Sequence, residues 1–419
     1  MADPKFRTHH GMVDILPDEA RKWQNLERII REAARKYDFE EIRTPVLEPT
    51  ELISRGIGQL TDIVTKEMFT FSRGEDNYVL RPEGTAPVAR AYVQHHLGRQ
   101  GGTHKLFYIG PFFRAERPQK GRQRQFHQFG AELIGSPDPL ADAETIAFMM
   151  EIYREIGIRN TVLEINSVGD PETRSLYRDA LKNYFKPFLA GMSELSQSRY
   201  EKNPMRILDS KEREDLPFLE NAPKITSFLT EASAGHYQSL KQYLDVLNIL
   251  YRENPCLVRG LDYYTETAFE LSSPDLGSQD ALGGGGRYDL LVEEIGGPPT
   301  PAVGFACGME RLFITAEVLG LDLMSENPLD IYLVTRGEAA RKWALERLPE
   351  LRARNLSCTM DYLSRSLKAQ MKEANRKKSR YAVIVGDNEL ESGKFTLRDM
   401  EKSEEQQLGF NEIINKLPA

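Results

Sequence analysis

Two apolar stretches joined by a short basic loop constrain the fold more than any other feature of this 419-residue chain. Residues 105–114 and 125–135 have the composition and length of strands. Because a short loop joins them, we expect them to pair antiparallel. Alternate residues of a strand point the same way, so one face of the second strand is defined. That face holds Phe126, Gln128, Gly130 and Glu132.

This face is either a solvated sheet surface or a platform for a ligand. An aromatic ring can stack on a base, an amide can hold an amino group, and a carboxylate can accept from an N–H donor. The joining loop, residues 115–124, is rich in Lys and Arg and follows Arg114. A charge run is usually a solvated turn. Here it separates the two strands, so we expect it at the mouth of the candidate site.

Residues 256–270 have the aromatic and β-branched content of a strand, yet they contain a lone basic residue, Arg259. A guanidinium in an apolar strand requires an anionic partner, and either a neighbouring carboxylate or a ligand phosphate fits its planar donors. Downstream, Gly283 to Gly286 lack the Gly-Lys-Ser/Thr ending of a phosphate loop. We expect this bare backbone to pass close to a ligand or to another strand.

Two further peptides combine glycine with charged or polar residues. Glu83 lies two residues before Thr85, and this peptide can begin a helix with Thr85 as its cap, hold a ligand, or do both. Gly304 and Gly308 precede Arg311 at the expected start of another helix. A helix N-terminus together with an arginine favours anionic charge.

These peptides resemble those of one family. Residues 259–264 and 281–289 resemble the two signature peptides of histidyl-tRNA synthetases. Residues 113–132 resemble motif 2 of the class II aminoacyl-tRNA synthetases, and residues 303–311 resemble their motif 3. The resemblance begins at about Gly11 and continues to the C-terminus, so it covers nearly the whole chain.

The resemblance implies a role for each residue of the candidate site. Arg259 and Arg114 would be catalytic and would stabilise the α-phosphate of ATP. The ATP ligands would be Arg114, Glu116, Phe126, Arg259 and Arg311. The histidine ligands would be Glu83, Thr85, Gln128, Glu132, Tyr263 and Tyr264, although the sequence leaves open which tyrosine faces the imidazole. Arg117 and Gln119 would meet the acceptor end of the tRNA.

The resemblance also implies the reaction. A ligase would activate histidine with ATP, accompanied by Mg²⁺, and would transfer it from histidyl-adenylate to the 3′ end of tRNA(His). Two alternatives are a catalytically silent paralogue acting as the regulatory subunit of ATP phosphoribosyltransferase, and a class II synthetase for another amino acid. Glu132 and the peptide of residues 259–264 match the histidine enzyme. The family further implies a homodimer.

The expected fold class is an α+β catalytic domain with an antiparallel sheet, a helical insertion, and a C-terminal α/β domain like those that bind anticodons. The resemblance implies a catalytic domain over residues 1–325 and the C-terminal domain over 329–419, and a change in composition indicates the helical insertion at about 170–254. Within the catalytic domain, residues 39–47 are expected to form a strand that Pro45 limits to a sheet edge or to the end of a ladder.

Composition excludes several other classes of protein. The formal net charge is −8, but residues 330–419 hold 17 Lys and Arg against 14 Asp and Glu, so this segment leans basic. Apolar runs are too short to span a bilayer and the start lacks a signal-peptide pattern, so we expect a cytoplasmic protein without membrane contact. The cysteines and histidines lack metal-site spacing, and we predict no bound metal other than the magnesium of ATP.

Overall fold

The computed structural model describes residues 5–58, 61, 63–119, 121–258, 261–279, 281–324 and 329–417. The chain divides after Met324 into two compact units. The strands of the first unit are β1 (Glu40–Glu41), β2 (Leu47–Pro49), β3 (Phe69–Arg73), β4 (Asp76–Leu80), β5 (His104–Phe113), β6 (Gln125–Ile134), β7 (Val162–Ser167), β8 (Tyr251–Glu253), β9 (Thr265–Ser272), β10 (Ala281–Arg287) and β11 (Ala302–Gly308). Its helices are α1 (Pro17–Lys36), α2 (Thr50–Ile57), α3 (Thr85–Gln94), α4 (Pro139–Ile156), α5 (Pro171–Phe185), α6 (Glu194–Lys202), α7 (Leu216–Leu219), α8 (Glu231–Val246), α9 (Leu291–Glu294) and α10 (Met309–Val318).

The large sheet of this unit has the order β1-β5-β6-β11-β10-β9-β7-β8. Its central pairings are antiparallel, and the short edge strands β1 and β8 pair parallel with their neighbours. The predicted pairing of β5 with β6 is confirmed, with His104 opposite Ile134 and Phe113 opposite Gln125. Helices α1 and α4 bury apolar side chains in the core under this sheet, and α8 packs beside α4.

The glycine run lies in the middle of the sheet, in β10 between β9 and β11. A side chain on Gly285 would collide with the carbonyl oxygen of Gly304, and one on Gly283 would collide with the sulfur of Cys307. Glycine is therefore required because the neighbouring strand approaches closely, as the sequence predicted.

Three expectations about strands were wrong in part. Residues 39–47 do not form one strand. The short strand β1 lies near the start of this range, β2 begins at its end, and Pro45 lies in the irregular segment between them. The strand expected from Cys256 begins only at Thr265, so residues 261–264 form a turn before it. The helical segment expected to reach residue 254 gives way at Tyr251 to β8, which rejoins the sheet beside β7.

A buried ion pair joins the end of β10 to α4. Arg287 has a side chain that is 1% exposed, and its Nη2 lies 2.5 Å from Asp142 Oδ1. The remaining guanidinium donors bond the carbonyls of Ser136 and Asp138 and the carboxylate of Asp289. Burial alone would raise the pKa of Asp142, but Arg287 and His236 together outweigh burial and the pKa is lowered.

Replacing Arg287 with methionine is expected to destabilise the first unit by about 3–5 kcal/mol, because the buried carboxylate of Asp142 loses its charge partner. Urea unfolding followed by tryptophan fluorescence measures the change. The chain has two tryptophans, and a Trp343→Phe background leaves only the signal of Trp23 in the first unit.

Arg154 provides the matched control for this variant. It pairs with Glu151 at 2.7 Å, but its side chain is 69% exposed. Arg154→Met should therefore lower the free energy of unfolding far less than Arg287→Met does. Equal losses from the two variants would contradict the structural role assigned to Arg287.

The second unit is a small α/β domain. Its strands are β12 (Ile331–Thr335), β13 (Cys358–Met360), β14 (Tyr381–Val385), β15 (Lys394–Asp399) and β16 (Glu405–Gly409), and its helices are α11 (Glu338–Ala353), α12 (Leu367–Arg376), α13 (Asp387–Ser392) and α14 (Phe410–Lys416). The sheet order is β13-β12-β14-β15-β16, with parallel pairs on both sides of β12 and antiparallel pairs beyond β14. The predicted C-terminal α/β domain is confirmed. Within the described parts of both units, every helix is too short or too polar to cross a bilayer.

Candidate active site

A cavity of about 440 Å³ opens over the centre of the large sheet. Its walls come from β6, β10 and β11, from the loop between β5 and β6, and from the start of α10. Five residues singled out in the sequence line it together: Arg114, Glu116, Phe126, Gln128 and Arg311. The antiparallel pairing of the central strands brings these residues together from distant parts of the chain.

Two arginines enter the cavity from different elements. Arg114 follows β5, and its Nε donates to the carbonyl of Pro82 at 3.0 Å. Its guanidinium carbon lies 5.2 Å from the centre of the Phe126 ring. Arg311, in the first turn of α10, donates from Nη1 to the carbonyl of Ala281 at 2.8 Å. Backbone carbonyls thus fix one edge of each guanidinium at the cavity wall.

Glu132 lies deeper along β6 and is fully buried. The Thr85 hydroxyl donates to its Oε1 at 2.8 Å, and the Tyr288 hydroxyl donates to its Oε2 at 2.6 Å. A side chain on Gly304 would collide with Oε2, so glycine on the neighbouring strand makes room for this carboxyl. Burial raises the pKa of Glu132 to about 8 against the opposing effect of the Tyr288 hydrogen bond.

The side chain of Glu83 caps the N-terminus of α3. Its carboxylate accepts from the backbone N–H of Thr85 at 2.7 Å and of Ala86 at 2.8 Å. Burial raises its pKa despite these bonds. The expectation that Thr85 caps the helix is wrong, because Glu83 takes that role and the Thr85 hydroxyl is used by Glu132 instead.

The two tyrosines of the signature peptide differ in exposure. Tyr263 is buried, with its ring centre 5.7 Å from that of Tyr288 and in edge contact with it. Tyr264 is half-buried, and its ring lies 4.7 Å from that of Tyr263. Both rings therefore belong to the wall around Glu132, with Tyr263 the more enclosed. Arg259 and Gly260 lie outside the described residues.

The turn that carries these tyrosines is held by the helical insertion. Arg174 of α5 donates from Nη1 to the carbonyl oxygens of Tyr264 at 3.1 Å and Asp262 at 3.4 Å. Asn203 donates to the Asp262 carboxylate at 3.2 Å. The guanidinium of Arg174 is partly buried, and this burial lowers its pKa. The insertion therefore fixes the backbone of the residues that follow Arg259.

Gln128 offers an unused hydrogen-bonding atom beside the cavity. Among the described residues, none bonds its buried Oε1. Buried polar atoms in folded proteins are nearly always paired. An orphan acceptor at the wall of a cavity is the pattern expected where a ligand donates a hydrogen bond.

The loop between β5 and β6 forms a small hairpin at the cavity mouth. Gln119 and Arg122 bond each other through their backbones, and both Arg117 and Gln119 are exposed. Glu116 lines the cavity, and its carboxylate lies 3.5 Å from Arg122. Arg117 and Gln119 are therefore placed to contact a large partner outside the cavity. Glu116 is placed to contact a small ligand inside it.

Several residues of the site were not singled out from the sequence. Tyr288 holds Glu132, and Glu270 and Glu310 line the cavity. Glu310 also accepts from the backbone N–H of His127 at 2.8 Å. Tyr288 and Glu270 lie at or near the ends of peptides quoted above, so position alone could have marked them, but the partner of Tyr288 is 156 positions away.

Comparison with known proteins decides the family. The family model described as histidyl-tRNA synthetase matches residues 11–181 and 190–312, and the anticodon binding domain model matches residues 330–419. The chain belongs to the histidyl-tRNA synthetase family. It is 48% identical to a histidine–tRNA ligase of Chloroherpeton thalassium over 99% of this chain and 98% of that protein. It is 47% identical to one of Desulforamulus reducens, covering 96% and 97% of the two chains.

Solved structures agree with this membership. The apo histidyl-tRNA synthetase of Staphylococcus aureus matches with a TM-score of 0.83 and 38% identity, over 98% of this chain and 99% of that one. A Bacillus halodurans protein described as an ATP phosphoribosyltransferase regulatory subunit/histidyl-tRNA synthetase matches with a TM-score of 0.67 at 22% identity, which shows the shared fold alone. The α+β fold with an antiparallel sheet and a C-terminal anticodon-binding domain is therefore the fold of a synthetase of this family.

Proposed function

We propose that this chain is a histidine–tRNA ligase that forms histidyl-adenylate and transfers histidine to tRNA(His). One observation carries the proposal: one face of β6 carries Phe126 and Gln128 at the cavity that Arg114 and Arg311 line and, further along the same face, the buried carboxyl of Glu132. The first part suits the phosphates of ATP and the second suits a small polar side chain. Both parts border Gln128, which leaves an acceptor atom without a partner among the described residues.

The polar groups around Glu132 suit an imidazole. A neutral imidazole presents one N–H donor and one acceptor nitrogen. The Glu132 carboxyl can accept from the first, and a hydroxyl of Tyr263 or Tyr264 can donate to the second. A site with buried polar groups that must be paired rejects analogues lacking those groups by roughly four to five orders of magnitude. Glu83, Thr85 and Gln128 would hold the amino group of histidine.

The cavity suits ATP in a defined orientation. Phe126 would stack on the adenine and Glu116 would lie on the adenine side. Arg114 and Arg259 would flank the α-phosphate, and Arg311 would meet the γ-phosphate. Magnesium would enter bound to ATP, and the cavity carboxylates Glu270 and Glu310 are the oxygen ligands that this ion prefers.

Catalysis would rest on positioning and charge. The histidine carboxylate attacks the α-phosphorus, the bond to the pyrophosphate oxygen breaks, and pyrophosphate leaves with both electrons of that bond. Arginines that neutralise the crowded phosphates lower the barrier without themselves exchanging protons. The terminal ribose hydroxyl of the tRNA then attacks the histidyl carbonyl and AMP leaves.

The tRNA would contact both units. Arg117 and Gln119, exposed at the cavity mouth, would meet the acceptor end. The second unit, which leans basic, would hold the anticodon arm, and its affinity should fall with salt. The family resemblance further supports a cytoplasmic homodimer.

Charging of a tRNA(His) transcript with labelled histidine tests the function as a whole. We expect histidyl-tRNA to form with ATP, and none to form on a transcript whose 3′ ribose has been oxidised by periodate. A catalytically silent regulatory paralogue would charge neither transcript. Stimulation of an ATP phosphoribosyltransferase without any charging would replace the proposed function with that alternative.

Arg174→Ala is expected to lower kcat/KM for histidine about tenfold, because the turn carrying Tyr264 loses two hydrogen bonds from a charged group. Steady-state pyrophosphate exchange measures the change, and Arg174→Lys should recover part of it. Arg178 lies one turn further along the same helix and is exposed, so Arg178→Ala is the matched control. An Arg174→Ala variant as active as this control would contradict the positioning role.

A further inference from the structure

One residue of the helical insertion reaches the cavity over the large sheet. Arg206 lies in a short 3₁₀ turn, Pro204–Ile207, that follows α6. It lines the cavity together with Arg114, Phe126 and Arg311. Every other described lining residue comes from the catalytic segments before or after the insertion. The reaction proposed above gives Arg206 no role.

The backbone of Arg206 is held firmly by its surroundings. Pro204 and Ile207 are buried on either side of it, and Ile207 belongs to an apolar core formed mainly by the insertion. Nη1 of Arg199 donates to the carbonyl of Arg206 at 2.9 Å, and the N–H of Arg206 donates to the carbonyl of Asn203 at 3.1 Å. The side chain is half-buried. A cation held on a fixed backbone costs less to order when an anion binds.

The insertion meets the signature turn close to Arg206. Asn203 donates to the carboxylate of Asp262 at 3.2 Å. Burial raises the pKa of Asp262, and the charge of Arg206 opposes this rise. Leu261 of the same turn lines the cavity. Arg206 therefore lies beside the turn that follows Arg259, the residue proposed to flank the α-phosphate.

The formal charges along the described cavity wall balance. The wall includes four arginines and four glutamates, namely Arg114, Arg122, Arg206, Arg311, Glu67, Glu116, Glu270 and Glu310. ATP is strongly anionic, and Mg²⁺ neutralises only part of its charge. Without Arg206 the described wall would have more carboxylates than guanidinium groups, and like charges repel. An anionic ligand in this cavity therefore depends on the arginine that the insertion supplies.

We propose that Arg206 is a catalytic residue of adenylation, whose guanidinium contacts the phosphates of ATP and neutralises part of their charge. The helical insertion then takes part in ATP binding, in addition to holding the signature turn through Arg174. The proposal rests on the proposed function, because that function places ATP in this cavity. It adds an arginine from the insertion to Arg114 and Arg311 of the catalytic segments.

Equilibrium dialysis of labelled Mg·ATP against the full-length protein, without histidine, tests the contact directly. We expect Arg206→Ala to bind ATP about ten- to a hundredfold more weakly, the range for a hydrogen bond to a charged group. Arg206→Lys should recover part of the loss, because it keeps the charge but not the planar set of donors. Arg213→Ala, an exposed arginine of the insertion outside the cavity, is the matched control. Equal affinity for Arg206→Ala and this control would overturn the proposal.

Adenosine separates a phosphate contact from a general effect on the cavity. It has the base and the ribose of ATP but no phosphates. In the same dialysis, Arg206→Ala and the wild type should bind adenosine equally. A loss of adenosine affinity as large as the loss of ATP affinity would overturn the assignment to the phosphates.

Asp262→Asn separates contact with ATP from a purely structural role. If Arg206 only held Asp262 in place, Asp262→Asn and Arg206→Ala would weaken ATP binding equally, and that result would overturn the proposal. We expect Asp262→Asn to bind ATP at least as tightly as the wild type. The reason is that Arg206 loses a competing carboxylate, while the new amide keeps an oxygen for the hydrogen bond from Asn203.

The end of the tRNA brings another phosphate to this cavity, and kinetics distinguish it from ATP. Histidine-dependent pyrophosphate exchange needs no tRNA and should be slower in Arg206→Ala at subsaturating ATP. Normal exchange, with slowed transfer from preformed histidyl-adenylate to tRNA, would assign Arg206 to the tRNA and overturn the proposal. An exchange reaction absent already in the wild type would count against the proposed function. The comparison of ATP and adenosine binding would then still decide the role of Arg206.

Discussion

Replacing Arg259 with alanine is expected to lower histidine-dependent ATP–pyrophosphate exchange by at least about a hundredfold, because the charge proposed to stabilise the α-phosphate would be removed. Arg114→Ala should cause a loss of the same order, since Arg114 is proposed to share this role and lines the cavity with one edge of its guanidinium fixed on Pro82. In both variants kcat should fall more than the affinity for histidine, because these contacts strengthen in the transition state.

Arg252 provides a matched control for both variants. Its side chain is 69% exposed and lies 3.6 Å from Glu164, away from the residues that line the cavity. Arg252→Ala should exchange at the wild-type rate. If Arg259→Ala exchanged at the wild-type rate, the role proposed for Arg259 in the adenylation step would be contradicted. This would hold even if the protein charged tRNA with histidine.

Glu132→Gln is the second variant with a large expected effect. The amide keeps the shape of the side chain, but its Nε2 must face one of the hydroxyls that donate to the carboxylate in the wild type. The amide also replaces one of the two carboxyl oxygens that could accept from the imidazole N–H. We expect kcat/KM for histidine to fall about ten- to a hundredfold, the range for a hydrogen bond to a charged group. Exchange kinetics at several histidine concentrations measure this.

Glu132→Gln should also change how stability depends on pH. At high pH it should be more stable than the wild type, although it is less active. Burial raises the pKa of Glu132 to about 8, far above its ordinary value, so the folded protein holds this proton more tightly than the unfolded chain. The stabilising effect is complete below the ordinary pKa and is lost as pH rises to about 8. Glutamine carries no such proton. At pH 9 Glu132→Gln should therefore be more stable than the wild type by roughly 3–5 kcal/mol, relative to their difference at pH 4.5.

Urea unfolding at pH 4.5 and pH 9 measures this difference in the Trp343→Phe background. Thr145→Val is a buried neutral control: the Thr145 hydroxyl bonds only the backbone of its own helix, so its effect should be the same at both pH values. If the difference in free energy of unfolding between Glu132→Gln and the wild type were the same at both pH values, the raised pKa assigned to the buried Glu132 would be contradicted.

Local patterns in the sequence predicted those helices and strands whose own apolar residues recur with a regular spacing. The pairing of β5 with β6 and the alternation in the second unit belong to this group. Strand β3 was missed because four of its five residues are exposed, so its sequence has no buried alternation. Strand β16 was missed for a related reason: Glu405 to Gln407 are polar and exposed, and the strand is fixed by pairing with β15.

The site was predictable where one peptide carries several of its residues. Arg114, Phe126 and Gln128 lie within one motif, and the structure brings them to one cavity with Arg311. Tyr288 bonds Glu132 across 156 positions, and Arg174 reaches the turn at Tyr264 across 90. Contacts of this range depend on the topology of the whole unit, and neither spacing nor periodicity in the sequence indicates them.

Amino-acid-dependent ATP–pyrophosphate exchange with each of the twenty amino acids tests the central claim most directly. The arrangement around Glu132 predicts exchange with histidine alone, and the loss of that exchange in Arg259→Ala. Exchange with a different amino acid would contradict the assignment of this pocket to an imidazole. No exchange with any amino acid would contradict the synthetase function and favour the regulatory paralogue.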